Sequence, residues 1–134
     1  MTDYLNIQMT PQEIGAVSNL GLAHIGDCGY ELLVRSYIVA HGGVTNHAMH
    51  DTTVRMVRAE AQAAAMERIL PLLSEEELAV YRRGRNTRVH SVPKNAEIGA
   101  YHAATGLECL FGWLYLSGRH ARVNELFARI TEEA

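Results

Sequence analysis

Two stretches of this sequence decide its fold: residues 22–31, LAHIGDCGYE, and residues 104–112, ATGLECLFG. Each lies within a longer segment, at about 20–40 and 95–116, whose apolar residues recur with the spacing of an α-helix. Both segments contain interior glycines, and each of these lowers helix stability by on the order of 1 kcal/mol relative to alanine. A helix tolerates this loss where another backbone approaches closely or another group sits against it. The pattern therefore predicts two long helices, each with either another backbone or another group close against its glycines.

Each of the two helical segments carries a carboxylate amid apolar neighbours: Asp27 in IGDC at 25–28 and Glu108 in LECL at 107–110. A carboxylate that loses its hydration needs a cation, hydrogen-bond donors or a metal ion as partner. Two carboxylates on packed helices form a reasonable site for Mg²⁺, which often takes one or two protein carboxylates and completes its shell with water and phosphate. The spacing alone equally allows both acids to be structural, each bound to a nearby arginine or helix end.

Two other groups of residues have the chemistry of metal ligands. Glu31 lies one helical turn after the first of these acids and is either a further ligand or, as we expect, the i,i+4 partner of Arg35. His47, His50 and Asp51 fall in the segment HAMHD, whose i,i+3 histidines are able to share a metal ion and would define a histidine-metal phosphohydrolase. Because no third ligand follows at a standard spacing, we expect these residues to face solvent or substrate.

Capping signals divide the chain into about six helices. Thr10 and Ser74 each begin a capping box, in which a glutamate follows three residues after the capping hydroxyl. A proline ends the third helix after residue 70, and residues 84–94 are expected to form a polar loop. No segment alternates in the manner of a strand, so the predicted fold class is all-α, as one domain over residues 1–134. The predicted helices begin near residues 10, 20, 45, 74, 95 and 119.

Composition places the chain among globular proteins of a reducing compartment. Its 134 residues are 48% apolar and 20% charged, which allows a real core and excludes a disordered or low-complexity protein. From the sequence we expect neither a membrane-spanning helix nor a secretory leader. The two cysteines, Cys28 and Cys109, are too few for a disulfide framework and are expected to be small buried thiols. The expected location is therefore the cytoplasm, without a membrane partner.

Acidic and basic residues are clustered in separate segments of the chain. This distribution is more informative than the formal net charge of −3. Residues 82–94 carry five basic side chains and no acid, and they follow the acidic start of a helix at 75–77. Such a segment is rich in donors for phosphate oxygens, although a solvated charged loop has the same composition. Its candidate phosphate-binding residues are Arg82, Arg83, Arg85, Asn86, Thr87, Arg88, Lys94 and Asn95.

The two helical stretches resemble the catalytic domain of ribonuclease III. Residues 22–27, LAHIGD, are similar to that family's signature LEFLGD, and residues 104–112 are similar to its second acidic motif, ADxxEALxG. Residues 115–118, YLSG, match the usual end of that motif. The closer resemblance is to Mini-ribonuclease III, the short bacterial branch without a double-stranded-RNA-binding domain. Motifs that resemble this branch are GDCGYE at 26–31, RRGRN at 82–86, KNA at 94–96 and TGLE at 105–108.

This resemblance implies an all-helical, homodimeric endoribonuclease that cleaves double-stranded RNA with Mg²⁺, or with Mn²⁺ in its place, and leaves 5′-phosphates and short 3′ overhangs. Asp27 and Glu108 align with the family's two metal-ligating catalytic acids. The implied substrate is precursor 23S ribosomal RNA, whose mature ends the enzyme trims, and a large-subunit ribosomal protein is a further implied partner. The alternative is a non-catalytic RNA- or ribosome-binding module that retains the ribonuclease III fold.

The sequence departs from the longer ribonucleases III at three positions. Ala23 and Thr105 stand where those enzymes carry two more acids, as is usual in the short branch, so water and phosphate would complete the metal shell. His24 stands where the family has an aromatic residue that enters the partner subunit, and it is our candidate for the dimer interface. Without a separate RNA-binding domain, the basic segment is expected to hold the RNA backbone together with His47 and His50.

Overall fold

The computed structural model describes residues 1–42, 45–87 and 97–132. Within these ranges the chain forms seven α-helices and one short 3-10 helix, and it forms no strand. The predicted all-α fold class is confirmed. The helices are α1 (Pro11–Gly15), α2 (Asn19–Ala40), α3 (Asn46–Val57), α4 (Ala59–Ile69), α5 (Glu75–Arg85), α6 (Ile98–Leu116) and α7 (His120–Thr131), with the 3-10 helix at Leu70–Leu72.

α6 is the central helix of the fold. Eleven of its 19 residues are buried, and α2, α4, α5 and α7 all pack against it. Its apolar residues surround the helix instead of forming one stripe, as expected for a helix enclosed on several sides. Leu107, Leu110 and Leu114 are completely shielded from solvent. Even so, none of the helices in the described part of the chain is long and apolar enough to cross a membrane.

Two glycines set the distance between α2 and α6. A Cβ atom on Gly26 would lie 1.7 Å from the backbone oxygen of Glu108, and one on Gly112 would lie 2.0 Å from the backbone oxygen of Leu22. Neither position therefore accepts a side chain, and the two backbones are in direct contact, as the interior glycines predicted. Because Asp27 follows Gly26 directly, this crossing brings Asp27 beside Glu108.

A second glycine crossing joins α5 to α6 and corrects the predicted start of the basic loop. A Cβ atom on Gly84 would lie 2.7 Å from Sγ of Cys109, and one on Gly106 would lie 2.6 Å from the ring of Tyr81. Gly84 is buried within α5 at this contact, whereas the sequence predicted a loop from that residue onward. The prediction was wrong because a glycine that packs against another helix looks, in sequence, like one that ends a helix.

The third predicted helix, expected to run to residue 70, is two helices. The chain bends at Arg58, where φ is −64° and ψ is 157°, so α3 ends at Val57 and α4 begins at Ala59. The side chain of Gln62 stabilises this bend by donating from Nε2 to the backbone oxygen of Val57 at 2.8 Å. Neither glycine nor proline marks the position, so the sequence pattern contained no indication of the break.

Both predicted capping boxes are present. Thr10 and Glu13 exchange side-chain and backbone hydrogen bonds, and so do Ser74 and Glu77. Glu77 is 3% exposed and also accepts hydrogen bonds from Arg122 of α7, at 2.8 and 2.9 Å. The hydrogen bond from Arg122 is the largest cause that holds the pKa of Glu77 below its usual value, while burial acts in the opposite direction. This ion pair fastens α7 to the start of α5.

The two cysteines differ in exposure. Cys109 is buried, as predicted, and its thiol donates a hydrogen bond to the backbone oxygen of Asn19 at 3.1 Å. Burial is the main cause that raises the pKa of this thiol to about 11. Cys28 is exposed on α2, so the prediction of a buried thiol was wrong at that position.

Candidate active site

The side chains of Asp27 and Glu108 meet at the crossing of α2 and α6. Asp27 is exposed, Glu108 is half-buried, and the two carboxyl groups are hydrogen-bonded to each other. The pKa of Glu108 is raised to about 8, by burial first and then by the charge of Asp27 and the hydrogen bond with it. These causes favour the protonated form of the Glu108 carboxyl. The two acids that the sequence placed on packed helices are thus brought into contact.

This pair has the donor chemistry of a divalent-cation site. Two carboxylates in contact repel each other when both are ionised, and the proton on Glu108 relieves that repulsion. A divalent cation would relieve it more fully, because Mg²⁺ binds carboxylate oxygens and keeps several waters. In residues 1–42, 45–87 and 97–132, no group of three or more histidine, cysteine or acidic side chains is placed to hold a metal ion. A cation here would take two protein carboxylates, with water and phosphate as its other ligands.

A buried amide lies beside the pair. Gln62 of α4 is 3% exposed, and its side chain is hydrogen-bonded to the Glu108 carboxyl, which lowers the pKa of that group. Its Nε2 also donates to the backbone oxygen of Val57, whereas its Oε1 is buried without a hydrogen-bond partner among the described residues. We did not identify this residue from the sequence. The available signal was a single amide within the alanine-rich segment 59–65, AEAQAAA.

The other possible metal ligands make contacts of their own. Glu31 forms the expected pair with Arg35, with 3.0 Å between Oε2 and Nε. His47 and Asp51 form an exposed i,i+4 pair on α3, with 3.2 Å between Nε2 and Oδ2. His50 is exposed and lines an open cavity of about 340 Å³ between α2 and α3. Since no third ligand joins the histidines within the described ranges, the structure does not support the histidine-metal phosphohydrolase.

Three of the predicted phosphate-binding arginines lie on the last turn of α5. Arg82, Arg83 and Arg85 are all exposed, and Arg85 lies over the ring of Tyr81, 5.5 Å from its centroid. Arg85 belongs to a helix instead of the predicted loop at 84–94, because the packed Gly84 continues α5 to that residue. Because the three arginines lie on one turn of a helix, the relative positions of their Cα atoms are fixed.

The end of α5 is tied to the start of α2. Asn86 is the C-terminal cap of α5. Thr87 accepts a hydrogen bond from Nδ2 of Asn19 at 3.0 Å and donates one to the backbone oxygen of Arg83 at 2.7 Å. Asn19 is also the residue whose backbone oxygen accepts from Cys109, the neighbour of the α6 carboxylate. The remaining predicted residues of the basic segment lie outside the described residues: Arg88, Lys94 and Asn95.

An apolar groove of about 300 Å³ lies between α2, α6 and α7. Leu5 and Leu32 line it and are 79% and 62% exposed, respectively, and Cys28 and Phe111 line it as well. His24, the predicted dimer contact, is exposed on α2 one turn before Cys28. Its role in a subunit interface stays a prediction.

Comparison with known proteins places this fold in a class. The family model of the ribonuclease III domain matches residues 20–119, which include both carboxylates. Mini-ribonuclease 3 of Thermoanaerobacter sp. is 43% identical over 128 residues, which cover 93% of this chain and 90% of that protein. Mini-ribonuclease 3 of Symbiobacterium thermophilum is 43% identical over 107 residues, which cover 80% of this chain and 82% of that protein. A crystal structure of a protein from Fusobacterium nucleatum matches 87% of this chain and 95% of its own, with a TM-score of 0.80 and 25% identity.

The all-helical fold is therefore that of the ribonuclease III class. The chain belongs to this family, and within it to the Mini-ribonuclease 3 branch. It is an endoribonuclease that acts on double-stranded RNA, as the sequence motifs implied.

Proposed function

We propose that this endoribonuclease cleaves double-stranded RNA with a Mg²⁺ ion held by Asp27 and Glu108, and that its substrate is precursor 23S ribosomal RNA. The contact between the two carboxyl groups carries the proposal. The raised pKa of Glu108, about 8, supports it as well. Metal ligands bind in their deprotonated form, so a cation bound here would replace the proton that the raised pKa favours and would offset the repulsion between the two carboxylates.

The two acids have different tasks in this proposal. Glu108 is half-buried and held by α6, so it anchors the cation, whereas the exposed Asp27 faces the solvent from which RNA approaches. Bound Mg²⁺ supplies a water of lowered pKa and offsets the charge that develops on the scissile phosphate. The protein's own contribution is to hold the carboxylate oxygens at one spacing, through the glycine contact beneath them.

The last turn of α5 is the proposed main contact with the RNA backbone. Its three exposed arginines suit phosphate oxygens, which a guanidinium group binds with two parallel hydrogen bonds. Double-stranded RNA is recognised mostly through its shape, phosphates and 2′-hydroxyls, so this contact needs no base-specific partner. The proposed RNA-binding residues are Arg82, Arg83, Arg85, Asn86, Thr87, Arg88, Lys94, Asn95, His47 and His50.

A second copy of this chain is the proposed occupant of the apolar groove between α2, α6 and α7. Leu5 and Leu32 are more than half exposed there, and their burial against another subunit would be favourable. The ribonuclease III family is typically dimeric. Two copies would present two carboxylate pairs to the two strands of one duplex, with His24 at the subunit contact.

The choice of precursor 23S ribosomal RNA rests on the family resemblance of the sequence motifs. Trimming of its ends requires cleavage within paired stems, which suits an enzyme that acts on duplexes. This role places the proposed site of action in the cytoplasm, and a large-subunit ribosomal protein is the proposed assisting partner.

The test is cleavage of a perfectly paired RNA duplex by the full chain, with Mg²⁺, with Mn²⁺ and with a chelator. We expect discrete cuts in both strands only when a divalent metal ion is present. Asp27→Asn is expected to abolish the cuts and to leave the helix content unchanged, because this side chain is exposed. The matched control is Glu60→Gln, an exposed acid-to-amide change on α4, which is expected to cleave normally.

Two outcomes would contradict the proposal. Cleavage by Asp27→Asn at the rate of the unsubstituted protein would exclude the assigned metal site. Binding of the duplex without cleavage, in Mg²⁺ and in Mn²⁺, would favour the non-catalytic RNA-binding module. That result would direct attention to Ala23 and Thr105, which are buried and carry no carboxylate.

A further inference from the structure

Gln62 is the exception among the buried polar side chains. Of the four in the described part of the chain, Thr53 and Thr105 donate to backbone oxygens of their own helices, and Glu77 is paired with Arg122. Of these four, Gln62 alone keeps a buried atom, Oε1, without a hydrogen-bond partner among the described residues; the half-buried His102 and His120 each keep one such ring nitrogen. A buried amide oxygen in this state is unfavourable, so it calls for a function that a packing role does not supply.

The orientation of this amide follows from its neighbours. Nε2 donates to the backbone oxygen of Val57 at 2.8 Å, which fixes the orientation of the amide. The side chain lies beside the carboxyl group of Glu108, and its interaction with that group lowers the pKa of Glu108. An amide nitrogen has two hydrogens, so one remains for Glu108, and Oε1 is left as an acceptor without a partner among the described residues.

We propose that Gln62 is a positioning residue of the metal site: its Nε2 orients the Glu108 carboxylate, and its Oε1 accepts a hydrogen bond from a water bound to the metal ion. This inference rests on the proposed function. With only two protein carboxylates, most ligands of a Mg²⁺ ion are water molecules, whose hydrogens need acceptors. Removal of a residue that hydrogen-bonds to a metal ligand commonly lowers metal affinity or activity by about 10- to 100-fold.

A purely structural role makes a different prediction. In that case the only task of Gln62 is to donate to Val57 at the bend between α3 and α4, and its oxygen is irrelevant. Gln62→Leu and Gln62→Met each remove both the donor and the oxygen, and methionine keeps a long unbranched side chain. A structural role predicts that both variants lose stability while any folded variant keeps its Mn²⁺ affinity, whereas the proposed role predicts that a folded variant loses Mn²⁺ affinity.

The experiment is a titration of the full chain with Mn²⁺, in which free Mn²⁺ is read by electron paramagnetic resonance without RNA. We expect Gln62→Leu to weaken Mn²⁺ binding by about 10-fold or more. Gln62→Met is expected to weaken Mn²⁺ binding in the same direction. The matched control is Ile69→Val, a small buried change on the same helix, which is expected to leave Mn²⁺ affinity unchanged. Helix content and thermal unfolding are measured for each variant, so that a folded Gln62→Met protein tests the inference even where Gln62→Leu does not fold.

Duplex cleavage supplies the second measurement. The Mg²⁺ concentration for half-maximal cleavage should rise in Gln62→Leu by the same factor as the Mn²⁺ dissociation constant, and high Mg²⁺ should restore most of the rate. The inference is overturned if a folded Gln62→Leu or Gln62→Met protein binds Mn²⁺ with unchanged affinity, if the Ile69→Val control loses as much affinity, or if the unsubstituted protein binds no Mn²⁺.

Failure of this inference is distinguishable from failure of the proposed function. If the protein cuts the duplex, Asp27→Asn is inactive and Gln62→Leu behaves normally in both measurements, the function stands and the role of Gln62 falls. If Mn²⁺ affinity depends on Gln62 but the protein never cleaves the duplex, the inference about Gln62 stands and the proposed catalysis falls.

Discussion

Replacement of Gly26 by alanine tests the contact on which the candidate site is built. The added Cβ would lie 1.7 Å from the backbone oxygen of Glu108, whereas ordinary van der Waals contact begins at 3.4 Å. The obstacle is backbone and cannot rotate away, so α2 and α6 must move apart by roughly 1.5 Å. Overpacking of a core usually lowers the free energy of unfolding by 1–3 kcal/mol, and we expect about 3 kcal/mol here. For a chain of 134 residues this lowers Tm by about 10 °C.

Gly29→Ala is the matched control, because it makes the same chemical change one turn later on α2. No atom of the same chain lies within 4 Å of a Cβ at Gly29, so a methyl group there meets no obstacle within the subunit. This variant should gain up to about 1 kcal/mol of helix stability. Thermal unfolding followed by circular dichroism compares the two at one protein concentration. Equal Tm values for Gly26→Ala and Gly29→Ala would refute the argument that the glycine contact fixes the distance between these helices.

Three further predictions follow from charges in the structure. Arg122→Met leaves the carboxylate of Glu77 buried without its cation and should lower the free energy of unfolding in urea by about 3 kcal/mol, whereas Arg35→Met, at an exposed pair, should lower it by less than about 1 kcal/mol. Because the folded chain raises the pKa of Glu108 to about 8, it binds a proton more tightly than the unfolded chain does. The stability of the metal-free protein should therefore fall as pH rises from about 5 to 8, and Glu108→Gln should flatten this part of the profile; an equally steep profile in Glu108→Gln would contradict the assignment. Finally, duplex binding should weaken steeply with salt, and replacement of the three exposed arginines of α5 by alanine should reduce the slope of log K against log salt by about 0.7 to 0.9 for each phosphate that these side chains neutralise; an unchanged slope would exclude them from the RNA interface.

The parts of the fold that depend on local chemistry could be predicted from the sequence. The capping box at Thr10 needs only a hydroxyl, a glutamate three residues later and the backbone between them, and the structure has this arrangement. The close crossing of α2 and α6 was predictable because glycine in the middle of an apolar helix is unfavourable unless something fills its place. Asp27 and Glu108 came from the same two helices, so their contact followed from that crossing.

The parts that depend on distant residues could not be predicted. The bend at Arg58 has no proline or glycine, and the hydrogen bond that stabilises it comes from Gln62, whose own role depends on α6. Gly84 was interpreted as a helix end because its burial against Cys109 involves a helix that lies later in the sequence. Cys109 lies 25 residues after Gly84, and a pattern of adjacent residues carries no record of that contact. At the bend the partner is only five residues away, but a glutamine within a helical pattern does not indicate a break.

The short chain of hydrogen bonds through Asn19 has a consequence for where such an enzyme cuts. Cys109, next to Glu108, donates to the backbone oxygen of Asn19, and the amide of Asn19 donates to Thr87 at the end of α5. These hydrogen bonds connect the end of α5, which carries the arginines, to α6, which carries Glu108. The arginines and the carboxylates therefore belong to one rigid arrangement. Under the proposed function, a phosphate gripped by α5 lies a fixed number of nucleotides from the phosphate that is cut. Substitution of the arginines should then change the affinity for a duplex. The number of nucleotides between the phosphate bound by α5 and the cleaved phosphate should stay the same.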